Sequence, residues 1–251
     1  YDRRGRLTQH QCEGTTLPRD SEGRVIKSQI FSFDALDNIK LSLTTFFDGT
    51  NERAAFTYGE DDPCQLQRIA YTPDRASGNP EFTYDANGCQ QQDERGQRLI
   101  YDSQNRLLNV ETPAGQTASR YRYDSHNHLV TSQHGTAGQT LRFYQDEQLS
   151  VTVQDGRETQ LLYHFNQPLG QQVASDHSQT LLLQTDANHS VIAESQQNTL
   201  RNAVYSAYGE RHSDSTLLSL RAFNGEVREA SGSYLLGRGY RAYNPVQMRF
   251  H

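Results

Sequence analysis

Tyr101-Asp-Ser-Gln-Asn-Arg-Leu107 returns as Tyr123-Asp-Ser-His-Asn-His-Leu129, and the chain opens on a third copy, Tyr1-Asp-Arg-Arg-Gly-Arg-Leu7. Looser copies are Phe33-Asp-Ala-Leu-Asp-Asn-Ile39 and Tyr84-Asp-Ala-Asn-Gly-Cys-Gln90, while Thr185-Asp-Ala-Asn-His-Ser-Val191 keeps the Asp and the Asn. An Asp carboxylate accepts a hydrogen bond from a backbone N–H two residues on, and so starts a turn. Gly or Asn three positions later tolerates the positive φ with which such a turn ends. The Tyr before the turn and the Leu after it then fall on neighbouring strands. The pairs Asp2/Gly5, Asp85/Gly88, Asp102/Asn105 and Asp124/Asn127 are therefore expected at the tips of β-hairpins.

The aromatic anchors of the phrase, exact and loose, recur along the whole chain and settle into a spacing of 19 to 22 residues after Tyr101. Twenty residues or so is one hairpin of two short strands and two turns. A phrase recurring at such a period marks an architecture built by stacking. Runs such as Arg120-Tyr-Arg-Tyr123 and Gln160-Leu-Leu-Tyr-His-Phe165 read as strands. A helical period is missing, apart from a short turn of helix expected over Leu217–Ala222. The expected fold is all-β, with stacked hairpins forming a curled sheet. About twenty strands at about 4.8 Å each give a sheet about 95 Å wide, and an open twisted sheet rarely exceeds about ten strands without curling. Its tyrosines admit two readings. They form a ladder that ties hairpin to hairpin, or they line a lumen.

Of the 251 residues only 34% are hydrophobic, and mean hydropathy is −0.84. Such values suit a disordered chain, but 14 Tyr and 10 Phe do not. Tyrosine buries apolar area while keeping a hydroxyl that bonds to water or protein. The composition therefore fits an ordered β structure with a thin core. A net charge of −6 argues against a nucleic-acid surface, which needs a basic patch. No run of 18 apolar residues marks a membrane-spanning helix. The chain begins at Tyr1, inside a repeat, and reads as a fragment of a longer polypeptide. Cys12, Cys64 and Cys89 have neither the spacing of a metal framework nor the even count of a disulfide scaffold, and read as reduced thiols.

No stretch of the sequence supplies a catalytic constellation, and no cofactor or metal is expected. Ser125-His-Asn-His-Leu129 has the letters of an HNH nuclease, but aligned with the preceding repeat His126, Asn127 and His128 are tip residues. The remaining histidines, His177 and His189 among them, form no metal-binding pair. Gly237-Arg-Gly-Tyr240 lacks the strand-and-helix context of a phosphate loop.

From Asn202 the phrase lapses. Tyr205-Ser-Ala-Tyr-Gly-Glu210, Phe223-Asn-Gly-Glu226 and the run Tyr234 to Phe250 are dense in Tyr, Gly and Arg. The tail reads as a specialised end unit, with Gly237, Arg238, Gly239, Tyr240, Arg241, Tyr243, Asn244 and Pro245 as its cap motif. Together with the Tyr-Asp repeats, this tail resembles the YD-repeat proteins of the Rhs type, which include polymorphic bacterial toxins and the C component of insecticidal toxin complexes. The likeness divides the chain into a repeat array over 1–201 and the start of the Rhs repeat-associated core over 202–251.

The resemblance implies a hollow β-shell, or cocoon, that encapsulates a C-terminal toxin domain until delivery. The implied partners are that enclosed cargo, the remainder of the shell, and a secretion-system spike or adaptor or a toxin-complex partner. The implied location is the bacterial cytoplasm before secretion, often by type VI secretion, and then the target cell. The family's self-cleaving aspartates lie in a segment beyond Arg249-Phe-His251, and its common Asp-Pro step is replaced here by Val227-Arg-Glu-Ala-Ser-Gly-Ser233. No catalytic residue is therefore carried over, and a structural role is expected. The alternative reading is a surface adhesion module whose exposed hairpins bind carbohydrate.

Overall fold

The computed structural model describes residues 1–212, 216–237, 239 and 241–251, with the backbone alone for 177 and 178. The chain forms two compact units, residues 1–99 with 205–212 and residues 100–204 with 213–251.

The first unit holds a five-stranded sheet of β1 (Gln9–Gln11), β2 (Ile26–Phe33), β3 (Ile39–Phe46), β4 (Asn51–Tyr58) and β5 (Leu66–Thr72). An 11-stranded sheet starts where the division falls, with β6 (Arg98–Tyr101), and continues through β7 (Leu107–Glu111), β8 (Thr117–Tyr123), β9 (Leu129–His134), β10 (Thr140–Gln145) and β11 (Gln148–Gln154). It goes on through β12 (Arg157–His164), β13 (Gln167–Val173), β14 (Asp176–Thr185), β15 (Val191–Gln196) and β16 (Thr199–Asn202). A small third sheet joins β17 (Tyr234–Leu236), β18 (Arg241–Asn244) and β19 (Arg249–Phe250). Every strand lies beside its neighbours in sequence, so each sheet is a meander, and none closes on itself.

The alternation of side chains sorts the faces. In β14, Leu181 and Leu183 are buried while Leu182 between them is 62% exposed. In the first unit Ile26 and Phe46 pack with Cys12 and Leu17; in the second, Leu181, Leu183 and Val191 form one cluster. Cys12 and Cys89 are buried and Cys64 is exposed, all three as free thiols.

The structure corrects the sequence reading at two places. The ladder is not one run of strands: residues 73–97 pair only through isolated bridges such as Arg68–Glu81 and Tyr84–Gln90. Pro73 and Pro80 lie there, and proline cannot donate to a ladder. The helical turn expected over Leu217–Ala222 is also absent. The only helical turn among the described residues is a 3-10 turn at Phe223–Gly225. The N–H groups of Leu218, Ser219 and Leu220 are instead taken by the side chains of Glu194 and Gln171.

Candidate functional site

The recurring phrase builds one turn many times over. At Tyr101–Leu107 the Asp102 N–H donates to the Arg106 carbonyl at 3.0 Å, and the Asn105 N–H donates to the Asp102 carbonyl at 3.0 Å. One Asp102 carboxylate oxygen then accepts the N–H groups of Gln104 (2.9 Å) and Arg106 (3.0 Å), two donors no strand partner reaches. Asp124 does the same for His126 and His128, Asp85 for Asn87 and Cys89, and Asp2 for Arg4 and Arg6. Asn105, Asn127, Gly5 and Gly88 all have positive φ, between 60° and 81°. Partial burial pushes the Asp102 carboxyl up, but the Arg106 N–H and guanidinium outweigh it and hold it below the ordinary value. At Asp124 the N–H groups of His128 and His126 likewise overcome burial.

The same turn occurs where the aromatic anchor is missing. Asp20 caps Glu22 and Arg24, and Asp93 caps Arg95 and Gln97. Asp followed by Gly three residues on, at Asp20/Gly23 and Asp93/Gly96, was the available signal. The backbone turn also persists in the tail, where the phrase lapses. Gly209, Gly225 and Gly232 donate to the carbonyls of Ser206, Ala222 and Glu229, and the N–H groups of these three return to Glu210, Glu226 and Ser233. Glycine at the fourth position thus suffices for the backbone, and the Asp is replaceable.

The anchor tyrosines connect one turn to the next. The hydroxyl of Tyr123 donates to the Leu107 carbonyl at 3.0 Å, and Tyr144 donates to Leu129 at 3.0 Å. Tyr58 reaches Ile39, Tyr84 reaches Leu66 and Tyr163 reaches Leu149, at 2.8 to 2.9 Å. Each acceptor lies at the start of the strand that leaves the preceding tip. The register shifts by one residue just before the anchor, at Thr57/Tyr58, Arg122/Tyr123, Phe143/Tyr144 and Leu162/Tyr163. A bulge bends its strand and re-aims a side chain, and it accompanies each of these anchors. Burial pushes the Tyr144 and Tyr163 hydroxyls up, so they remain protonated donors.

A second link joins consecutive tips. The Arg106 guanidinium lies 5.0 Å from the centre of the Tyr123 ring and donates to the Asp124 carbonyl (3.2 Å) and Asn127 Oδ1 (2.9 Å). Arg6 treats the next tip alike, with Phe33, the Asp34 carbonyl and Asp37 Oδ1. His128, at the equivalent position, stacks on Tyr144 at 4.9 Å and contacts Asp124 Oδ2 at 3.1 Å. His126, Asn127 and His128 are thus tip residues in the structure.

In the second unit the tail is laid across the sheet and held by buried polar groups. Glu194, 0% exposed, accepts the N–H groups of Leu218 (2.9 Å) and Ser219 (2.8 Å). Gln171 donates to the Leu218 carbonyl (3.0 Å) and accepts the Leu220 N–H (2.8 Å). Arg221 donates to the Gly225 carbonyl and to the Tyr163 hydroxyl. Glu229, 3% exposed, meets the Arg142 guanidinium at 2.7 Å and His134 Nε2 at 3.0 Å. Burial alone pushes the Glu229 carboxyl up, but Arg142 and His134 reverse this and bring it down to about 2. Beside this strap lies a cavity of about 820 Å³ walled by Thr152, Gln171, Leu181 and Glu229 among others.

Of the cap motif, Tyr243 pairs with Tyr234 and with Phe250 across the three-stranded sheet, and Asn244 pairs with Arg249. The Gly239 carbonyl, 3.0 Å from the Tyr123 hydroxyl, shares that hydroxyl's single proton with the Leu107 carbonyl. Gly237 and Gly239 have positive φ, and a Cβ at Gly239 would stand 2.3 Å from Leu129 Cβ. Asn244 Oδ1 accepts the Val246 N–H across Pro245, and Arg241 lies over the Phe250 ring. Arg238 and Tyr240 lie outside the described residues, as does the side chain of His177.

No curated protein sequence matches the chain. Among solved structures it is similar to a mutant form of the Photorhabdus luminescens Tc holotoxin pore, with TM-score 0.61 and 14% identity over 100% of this chain and 15% of that one. It is equally similar to the TcdB2-TccC3 crystal structure, with TM-score 0.61 and 15% identity over 100% of this chain and 16% of that one. The chain thus spans about a sixth of the length of either, and at these identities the likeness concerns the fold. The family model of the Teneurin YD-shell matches residues 1–250, and the chain belongs to that family.

Proposed function

We propose that this chain is a segment of the wall of an Rhs-type toxin shell, and that the shell encapsulates a C-terminal toxin domain until delivery. The observation that carries the reading is the serial bonding of the tips. The anchors Tyr58, Tyr84, Tyr123, Tyr144 and Tyr163 and the basic residues Arg6 and Arg106 are each spent on an adjacent repeat, as a wall requires. Residues 1–201 would be shell wall and 202–251 the start of the core. Asp2/Gly5, Asp85/Gly88, Asp102/Asn105 and Asp124/Asn127 would be its structural turns, with Gly237 to Pro245 as the cap. The role is structural and not catalytic. The partners would be the enclosed cargo, the rest of the shell, and a toxin-complex or secretion-system component that receives it after synthesis in the bacterial cytoplasm.

The test uses the chain within its longer polypeptide, together with the domain that follows the core. Under this reading that domain is inactive and protease-resistant until the shell is opened by denaturant. A domain that is as active and as readily cut as when produced alone would sink the reading. Carbohydrate adhesion fares less well, because the Tyr123 ring lies under Arg106 and its hydroxyl is already bonded.

A further inference from the structure

Tyr205–His212 folds with the first unit although its neighbours in sequence belong to the second. It docks through an edge-to-face contact between Tyr208 and Phe31 (ring centres 5.1 Å apart) and a bond from the Ala207 N–H to Gln29 Oε1 at 3.3 Å. At its end, Glu210 is carried inward by the turn in which the Glu210 N–H meets Ser206 Oγ. Glu210 Oε1 is shut off from solvent and has no hydrogen-bond partner.

The surroundings of that carboxyl are acidic. Arg75, Asp20, Glu94 and Tyr71 face it, and one of its oxygens meets the Ser21 backbone N–H. The two guanidiniums in the cluster are already claimed. Arg75 is held by both oxygens of Glu52, at 2.9 and 2.5 Å, and Arg24 by Asp20 (2.6 Å) and by Glu52. A further carboxylate charge on Glu210 would have to share these claimed cations and would meet Asp20 and Glu94. A buried charge without a partner is among the costliest groups a fold can hold.

We propose that residues 205–212 are a pH-sensitive strap, docked while Glu210 is protonated and released when it ionises. Burial, with Asp20 and Glu94 adding to it, pushes the Glu210 carboxyl up to about 8 from an ordinary 4.5. The sign follows from proton binding. Between these two values the docked strap keeps a proton that the released strap gives up. Docking is therefore strongest below about pH 4.5 and weakens as pH rises towards 8.

The test is amide hydrogen exchange on the full chain from pH 5 to pH 9, with protection factors for residues 206–210 corrected for intrinsic rates. Protection should fall by up to about tenfold per pH unit up to about pH 8. In Glu210→Gln, which keeps the shape without the charge, it should stay flat. Unchanging protection in the wild-type chain would overturn the proposal, whatever the variants do. So would an equal fall in Glu210→Gln. Asp93, whose carboxyl burial pushes up to about 6, supplies the control: the fall should persist in Asp93→Asn, and its loss there would assign the effect to Asp93 instead.

Discussion

Asp102 shows how much one side chain settles. Its carboxylate closes two backbone N–H groups and pairs with Arg106, and the same bonds recur at Asp2 and Asp124 with Arg6 or His128 as the partner. Asp102→Ala should cost about 1–2 kcal/mol, read as a lower urea midpoint at unchanged slope. The carboxyls of Asp34, Asp102 and Asp124 are held below their ordinary value of 3.8. Their stabilisation is present above that value and lost as pH falls below it, so the urea midpoint should drop as pH falls below about 4. Glu229 works over a higher window, from 4.5 down to about 2. Glu229→Gln should cost about 3–5 kcal/mol, because it strands the buried Arg142 charge. Adding Arg142→Met should recover much of that loss.

At the scale of the hairpin, the tips were legible and the links between them only partly so. Asp and Gly or Asn at fixed spacing announce a turn because each residue acts on its own backbone. The bulge beside Tyr58, Tyr123, Tyr144 and Tyr163 is not written locally, since register depends on which side chains pack across the sheet. Nor was the destination of the tyrosine hydroxyl, a carbonyl in the preceding hairpin, although a tyrosine ladder was one of the two readings. The turns of the tail were not legible, for the reverse reason. Its turns keep the glycine but place Ser206, Ala222 and Glu229 where the repeats have Asp. Tyr123→Phe removes the bonds to Leu107 and Gly239 while keeping the ring, and should cost about 1–2 kcal/mol by urea unfolding. The residue before it supplies the contrast. Arg122 is exposed, and Arg122→Ala should change stability by no more than about 0.5 kcal/mol in the same measurement.

At the scale of the molecule, the 11-stranded sheet and residues 218–229 depend on one another. Glu194, Gln171 and Arg142 are polar residues on a buried face, tolerable because residues 218–229 complete their bonds. A chain ending at His212 should therefore lose more than the area of the missing residues. It takes from Glu194 and Arg142 their main partners and opens the face on which they lie to water. The expected result is a lower and broader thermal transition, with dye binding to the uncovered face; a sharp transition at the original temperature would contradict it. Sequence reading reached the all-β class and the family through the repeats, but not the buried polar bonds to residues 218–229. A glutamate or glutamine in a strand looks solvent-facing until the segment that covers it is in place.

The tyrosine bonds have a direction, and that direction matters while the chain is being made. Every hydroxyl in this series bonds a carbonyl synthesised earlier, and that of Tyr123 also meets a later one, at Gly239. A hairpin leaving the ribosome can therefore finish the one before it without waiting for its successor. The ladder of tyrosine bonds can thus close in the order of synthesis, while the buried polar face behind it waits for residues 218–229.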